Sequence, residues 1–511
     1  MSVLSNIWRL IRTGATLERT GAMGVTLEAM GAPRAFRIFA RVIMWPVKWV
    51  GLKGDPNLTP IVRALSVLGP AYVKFGQILS TRPDVVGDRA AQDLRFLQDK
   101  LPPFDTLIAK RMIEREFGVS CDMLFDQFDD AIAAASIAQV HPAVLRGTGK
   151  KVAVKILRPG IEKAFATDVA AFYFIARTLE ILLPKKMRRL KPTDVISHFE
   201  ATVKAELDLR LEAAAASEFA ANTSKDDGFW IPTIHWNASG KRIMTMDWAD
   251  GVAMGDNAVL DAAGHDRTDL ATRVLQLFLR HALRDGLFHA DMHQGNLKVA
   301  PNGDVIALDF GIMGQIDIYT RRVYAQILHG FIRRDYMRVA KVHFEAGYVP
   351  AHQDVAEFAR ALRAVGEPIF GMDASGISMG RLLYYLFEVT ERFGMETRTE
   401  LILLQRTMVV VEGVARSLDP NVNMWNVAEP VVKDYVASSI GPRAVVQDLT
   451  STAQVLLRFG PRLPDLVEKA LVRAEQADDT PPRPSARRPG LWLGVGFLGG
   501  LSAAALTLYM L

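Results

Sequence analysis

A single cysteine, Cys121, in 511 residues excludes an intramolecular disulfide framework and a thiolate metal cluster, and fits a reducing compartment. Cys121 itself reads as a packing residue. A secretory signal is missing too: Arg9 and Arg12 interrupt the first apolar run, and no small-residue cleavage site follows one. Glu18 and Glu28 count against a mitochondrial transit peptide, which is poor in acid. No dense Lys/Arg tract interleaved with aromatics occurs, so nucleic acid is not expected as a partner. There is no internal repeat.

What is present suits a large globular body. Hydrophobic residues make up 50% and charged residues 23%, so burying a sizeable core is no difficulty. The net charge of +5 and pI near 9.1 are modest for this length and suit an anionic membrane surface. Phe36–Val50 mixes bulky apolar residues with Arg37, Arg41 and Lys48. That pattern fits a helix in a membrane interface and equally a helix packed on the protein's own core.

The densest chemistry lies in Leu287-Phe-His-Ala-Asp-Met-His-Gln-Gly-Asn296, followed by Leu308-Asp-Phe-Gly311. Phosphoryl transfer to or from ATP needs an acid beside the acceptor oxygen and two metal-holding groups beside the phosphates. Asp291 fits the first need, and Asn296 with Asp309 the second. Between them, Asn296–Ala300 and Asp304–Asp309 read as short strands closed by Pro301-Asn302-Gly303, because Asn-Gly readily supplies the positive φ of a tight hairpin. Such a hairpin brings Asn296 and Asp309 to one end, where one Mg²⁺ could bridge them.

Upstream, Ala133-Ala134-Ala135-Ser136-Ile137-Ala138-Gln139-Val140-His141, Ala143-Val-Leu, the Gly147-Thr-Gly149 turn and Lys151-Val-Ala-Val-Lys155 read as consecutive strands. Val-Ala-Val-Lys matches the strand that presents the phosphate-binding lysine of kinase folds. Its carboxylate partner is best supplied by a helix over Val195–Asn222, where Asp208 and Glu212 lie four apart on one face and Glu206 points elsewhere. Ala133, Ala134 and Ala135 stand where glycines would let bare backbone close over phosphates, so nucleotide geometry should differ from that of an ordinary kinase. Arg242–Trp248 reads as a strand leading into the second lobe. Residues 253–470 are mainly helical by apolar spacing, with Leu270–Leu283, Tyr319–Ile332 and Leu401–Val414 the clearest helices. Ala290 stands where an arginine would receive an activation-loop phosphate, and no Ala-Pro-Glu follows Asp309-Phe-Gly, so no peptide-docking segment is recognisable.

Lys74-x-Gly76-Gln77 alone reads as a buried polar cluster or a helix contact. Residues 478–490 are polar and Pro-rich, a linker. Leu491–Leu511 carries no charge and, at about 1.5 Å per helical residue, spans roughly 30 Å, enough for a bilayer. Arg483, Arg487 and Arg488 precede it, which puts the catalytic body on the cytosolic side. Gly494-x-Gly496-x-x-Gly499 spells a dinucleotide fingerprint, but no strand precedes it. Gly496-x-x-x-Gly500 fits close approach of a second membrane helix instead, and hence a homodimer.

Taken together these motifs resemble the UbiB family of atypical kinase-like proteins, linked to ubiquinone biosynthesis. The likeness runs from about Leu65 to Gln315 and rests on Lys74-x-Gly76-Gln77, Ala133–His141, Val152–Lys155, Glu206-x-Asp208, Glu212, Asp291, Asn296 and Asp309. It implies an α+β, two-lobed, protein-kinase-like fold with a helical N-terminal extension and a C-terminal transmembrane helix. The parts expected are a basic amphipathic segment over 1–55, a helical extension over 56–130, an N-lobe over 131–251, a helical C-lobe over 252–474, a linker over 475–490 and an anchor over 491–511. The resemblance further implies that Ala133–His141 and Lys155, paired with Glu212, bind ATP, and that Asn296 and Asp309 hold Mg²⁺ with Asp291 catalytic. Lys74, Gly76, Gln77, Glu206 and Asp208 would gate the pocket. Met292 and Gln294 depart from the family's prolines, which bears on loop rigidity. The implied task is ATP hydrolysis at the bacterial inner membrane, less readily the mitochondrial one, in support of the enzymes that build ubiquinone. Anionic lipids and quinone precursors would be the partners. A lipid or small-molecule kinase and a nucleotide-sensing scaffold are the alternatives. No flavin fold, haem motif or iron-ligand spacing accompanies these residues.

Overall fold

The computed structural model describes residues 3–29, 34, 38, 42, 45–80, 88–94, 97, 102–182, 192–370, 385, 389, 392–395 and 399–439. The linker and the apolar stretch 491–511 lie outside the described residues. Among the described residues no helix is long and apolar enough to cross a membrane. The described residues divide into two compact units, one drawn from 1–211 and 234–248, the other from 212–233 and 249–439.

In the first unit an antiparallel sheet has the order β1-β3-β4-β6, with β2 paired on β3. The strands are β1 (Phe125–Phe128), β2 (Ala133–Ala134), β3 (Ala138–Leu145), β4 (Lys151–Leu157) and β6 (Ile243–Asp247). Period-two alternation decides what β4 does. Val152, Val154 and Ile156 are fully buried against Ala109 and Ile113 of the helix Thr106–Phe117, together with Phe125 and Cys121. Lys151, Ala153 and Lys155 therefore project from the opposite face. That helix starts on Asp105, whose side chain accepts from the Leu107 N–H, and ends on Gly118 at φ 73°, so both ends are capped.

Further helices of this unit pack on one another. Pro60–Leu68 and Pro70–Ser80 each begin with proline, whose missing N–H costs nothing at a helix start. Phe75 of the second lies against Phe172 and Phe199, which belong to the helices Ile161–Leu182 and Pro192–Glu206.

The second unit carries a four-stranded sheet, β5-β10-β9-β7, built from β5 (Phe229–Trp230), β7 (Val252–Ala253), β9 (Leu297–Val299) and β10 (Val305–Ala307). A separate pair joins β8 (Leu287–His289) to β11 (Met313–Gln315). The expected helices are found as Arg267–Arg280, Ile318–Ile332 and Thr399–Leu418. The first stops short of Leu283 because its last turn widens to a π-turn over His281–Asp285, closed by Gly286 at φ 71°.

One expectation fails. The helix read over Val195–Asn222 is two helices, Pro192–Glu206 and Leu209–Thr223. At the break the Leu209 N–H donates to Lys241 O at 2.9 Å. Asp208 turns its carboxylate onto the Arg210 N–H at 3.2 Å. A short acidic side chain that takes backbone N–H groups competes with helix and favours a helix start. Asp208 is thus outside any helix, and no helix face carries it with Glu212.

Candidate functional site

The predicted residues fall on both units. In the first, Ala133 and Ala134 form β2, and Ala138 to His141 open β3. Between them Ala135, Ser136 and Ile137 make a tight turn in which the Ala135 N–H donates to Ala138 O at 2.8 Å. No residue of this loop has positive φ, which is how alanine tolerates a place where glycine is common. Sequence reading missed the brace behind it. Arg158 donates its own N–H to Ile137 O at 2.8 Å, Nε to Ala135 O at 2.9 Å and a guanidinium N–H to Pro102 O at 2.9 Å. Burial lowers the Arg158 pKa from its ordinary value.

Gln139 and His141 are buried. Gln139 donates Nε2 to His141 Nε2 at 2.7 Å and accepts from the Phe104 N–H at 2.8 Å. His141 then donates Nδ1 to Asp129 O at 2.8 Å. Burial pushes its pKa down, against the Asp129 bond, consistent with a neutral ring in that tautomer. The two side chains tie the loop strand to the segment before the helix Thr106–Phe117. Lys155 sits on β4 opposite Val140 and Met244.

The Lys74 motif makes a shielded polar contact between two helices, in line with its reading in the sequence. Lys74 Nζ forms an ion pair with Glu206 Oε1 at 2.8 Å, and both side chains are largely shielded. Asp208 is held by Arg210 instead, through Nε at 2.8 Å and a second guanidinium nitrogen at 2.6 Å. Gln77 reaches only to Leu97 O, at 3.5 Å. A Cβ on Gly76 would stand 2.4 Å from Leu97 and 2.6 Å from Leu65, so glycine permits the close packing there.

In the second unit the hairpin forms as predicted. Val299 faces Val305, Lys298 faces Ile306 and Leu297 faces Ala307, with Gly303 at φ 89° in the turn. The Leu308 N–H donates to Asn296 O at 3.1 Å, which brings Asn296 and Asp309 to the same hairpin end. Asn296 donates Nδ2 to Asp291 O at 3.0 Å and approaches Asp291 Oδ2 at 3.4 Å. The amide NH₂ being directed there, Oδ1 is the atom of Asn296 that can meet a cation. Asp309 Oδ1 accepts from the Gly311 N–H at 3.0 Å. An amide oxygen and a carboxylate are hard ligands that fit Mg²⁺.

Asp291 is held from behind. Its N–H donates to His289 Nδ1 at 3.1 Å, and His289 is buried on β8. Burial lowers the His289 pKa, opposed by the Asp309 and Asp291 carboxylates. Ala290 O accepts from Thr407 Oγ1 at 3.1 Å. At the two positions without proline, Met292 is buried and Gln294 donates Nε2 to Ser417 Oγ. His293, also missed, accepts the Gly295 N–H on Nδ1 at 3.0 Å, so a neutral ring carries its proton on Nε2, 3.7 Å from Asp291 Oδ2. A recess of about 390 Å³ lies at this loop, lined by His293, Gln294, Gly295, Val410, Gly413 and Val414.

A second buried cluster carries no such chemistry. Asp226 accepts from His281 Nε2 at 3.0 Å and from Arg284 at 2.5 and 2.9 Å, while Arg284 also binds Asp285. Asp226, His281 and Asp285 have ligand spacing, but the guanidinium already occupies both carboxylates. Burial alone would raise the Asp226 pKa; the bonds from His281 and Arg284 overcome it and hold the carboxyl well below its usual range.

A strand that carries a lysine and, in the other unit, a hairpin that sets an asparagine and an aspartate at one end with an acid bonded to the asparagine are the parts of an atypical kinase-like protein. Residues 96–343 match the ABC1 atypical kinase-like domain and residues 362–423 the UbiB helical domain. A probable protein kinase UbiB of Marinobacter nauticus is 39% identical over 422 residues, covering 82% of this chain and 77% of that one. Its counterpart in Pseudomonas fluorescens is 38% identical over 446 residues, covering 86% and 83%. The solved complex of Rv3197 with erythromycin, from Mycobacterium tuberculosis, has a TM-score of 0.52 and 25% identity, covering 70% of this chain and 90% of that one. The chain belongs to the UbiB family of atypical kinase-like proteins.

Proposed function

We propose that the protein is a membrane-associated, Mg²⁺-dependent ATPase that supports ubiquinone biosynthesis at the bacterial inner membrane, by moving or presenting lipid-like quinone precursors to the enzymes that act on them. The observation that carries the phosphoryl chemistry is the hairpin register, which sets Asn296 and Asp309 at one end with Asn296 bonded to Asp291. Mg²⁺ held by Asn296 Oδ1 and the Asp309 carboxylate would neutralise phosphate charge. Asp291 orients the attacking oxygen and takes its proton, and Lys155 grips phosphate. Lys74 and Glu206 join the N-terminal extension to the helix Pro192–Glu206, which fits a gating role.

The test is phosphate release from ATP by the full chain, with and without anionic vesicles, beside Asp309→Asn. Lipid-stimulated release lost in the variant supports the proposal. Equal release from both proteins, or phosphorylation of added proteins without ATP hydrolysis, overturns it.

The recess at His293–Gly295 favours a second reading, a kinase for a small molecule. His293, which lines it, also approaches Asp291 Oδ2 at 3.7 Å. Radiolabel passing from ATP into an extracted small molecule would favour it over hydrolysis.

A further inference from the structure

Two tryptophans near the N-terminus are held outside the fold. Trp45 and Trp49 are 74% and 77% exposed, the highest values among the large apolar side chains of the described residues, and Ile38 and Val42 are 63% and 64% exposed. In sequence these four follow the i, i+4, i+7, i+11 spacing of one apolar helix face. A face of that kind is normally covered, and here all four members lie open.

The turn that carries the tryptophans is nevertheless anchored. Arg19 donates to Trp49 O at 3.0 Å and to Gly51 O at 2.5 Å, and the Leu52 N–H donates to Thr16 Oγ1 at 3.0 Å. Gly51 lies so close to the helix Val3–Thr20 that a Cβ would stand 2.3 Å from Ala15 O. The backbone of Trp45–Val50 is thus fixed to a helix while its two indoles face away.

Charge identifies the occupant. Residues 1–55 hold eight Lys/Arg against three Asp/Glu. Arg12, Arg34 and Lys53 are exposed, and Lys48 is half-exposed between the tryptophans, whereas Glu18 is buried. A second copy of the chain would set this basic patch against itself across a two-fold axis, which like charges oppose. A lipid surface instead offers phosphates to the basic groups and an interface in which indole rings settle. We propose that Ile38, Val42, Trp45 and Trp49 form an N-terminal contact that inserts into an anionic bilayer interface, separate from the apolar stretch 491–511.

The test uses the full chain in vesicles whose phosphatidylcholine carries brominated acyl chains, with and without phosphatidylglycerol. Emission from wild type is compared with that of the Trp45→Phe/Trp49→Phe double variant. Phenylalanine keeps the apolar contact, and Trp492, in the C-terminal stretch, contributes to both spectra alike. The difference emission should be blue-shifted and quenched by bromolipid, and both effects should shrink severalfold without phosphatidylglycerol or at high salt. A difference spectrum that is unquenched, or quenched equally without anionic lipid, overturns the proposal. So does one already blue-shifted before vesicles are added, which would mean that the chain itself covers the indoles. Light scattering completes the test: a dimer that Trp45→Ser/Trp49→Ser converts to monomer, with lipid quenching absent in wild type, would assign the face to self-association instead.

Discussion

Lys74 Nζ lies 2.8 Å from Glu206 Oε1, in an ion pair mostly withdrawn from solvent. Removing one partner from such a pair leaves the other charged in a shielded place, which typically costs about 3 kcal/mol. Lys74→Ala and Glu206→Ala should each lower the unfolding free energy, read from urea curves, by an amount of that order, and the double variant by much less than their sum. A double-mutant cycle with a coupling energy near zero would mean that the pair does not join the two helices.

The hairpin end makes a sharper demand on chemistry. Asp291→Asn keeps the size of the side chain and removes its ability to take a proton, so phosphate release should fall by roughly 10² or more. Nucleotide binding, read with a fluorescent ATP analogue, should stay near wild type. A variant that keeps its turnover would displace Asp291 as the catalytic acid–base group.

His293 predicts a graded result. With Nδ1 engaged by the Gly295 N–H, the ring points Nε2 toward Asp291. His293→Ala should lower kcat only severalfold, because Nε2 stands 3.7 Å from the carboxylate, beyond a direct hydrogen bond, with little change in KM for ATP. His293→Gln, which retains a donor amide, should recover part of the loss. Equal activity in all three proteins would make the histidine a bystander.

Arg158 should act on nucleotide affinity rather than on turnover. Its three bonds to Ile137, Ala135 and Pro102 carbonyls fix a loop that cannot use glycine flexibility. Arg158→Ala should raise KM for ATP severalfold while kcat changes less, and Arg158→Lys should lie between the two. A fall in kcat at constant KM would contradict this assignment.

Acid should destabilise the second unit in two stages. His281 is buried and its pKa is lowered by that burial, against the Asp226 carboxylate. Below about pH 6.5 the unfolded state takes up a proton that folded His281 refuses, so stability falls as pH falls. Asp226 has the opposite preference for charge but the same sign of effect. Its depressed pKa stabilises the fold above about 4, the unfolded value, and that contribution is lost as pH drops further. Thermal unfolding should therefore shift down between pH 7 and 5 and more steeply below 4. His281→Gln, which does not titrate, should flatten the first stage.

The parts legible in the sequence were those in which neighbours along the chain decide the outcome. The Asn302-Gly303 turn and the apolar strands on either side of it announce the β9–β10 hairpin, and with it the meeting of Asn296 and Asp309. Alternating valines announce β4 and the face from which Lys155 projects. What escaped depends on partners far away in the chain. Nothing near Leu209 signals that Lys241 O will take its N–H, so the break before the helix Leu209–Thr223 could not be seen. Lys74 was visible as part of a motif, but its pairing with Glu206 needs the helix packing set by Phe75, Phe172 and Phe199. His293 and Arg158 were hidden for another reason: each acts by bonding backbone groups, and backbone groups leave no trace in residue identity.

Cys121 offers a practical consequence. It is the chain's one thiol, packed beneath the β4 valines, and burial pushes its pKa up to about 11. At neutral pH roughly one molecule in 10⁴ then carries a thiolate, the form that alkylating reagents attack. The natural protein is in effect a cysteine-free background for maleimide chemistry. A cysteine introduced at Trp45 or Ser417 would take a spin label or fluorophore alone, and either locus could be followed without first removing a native thiol.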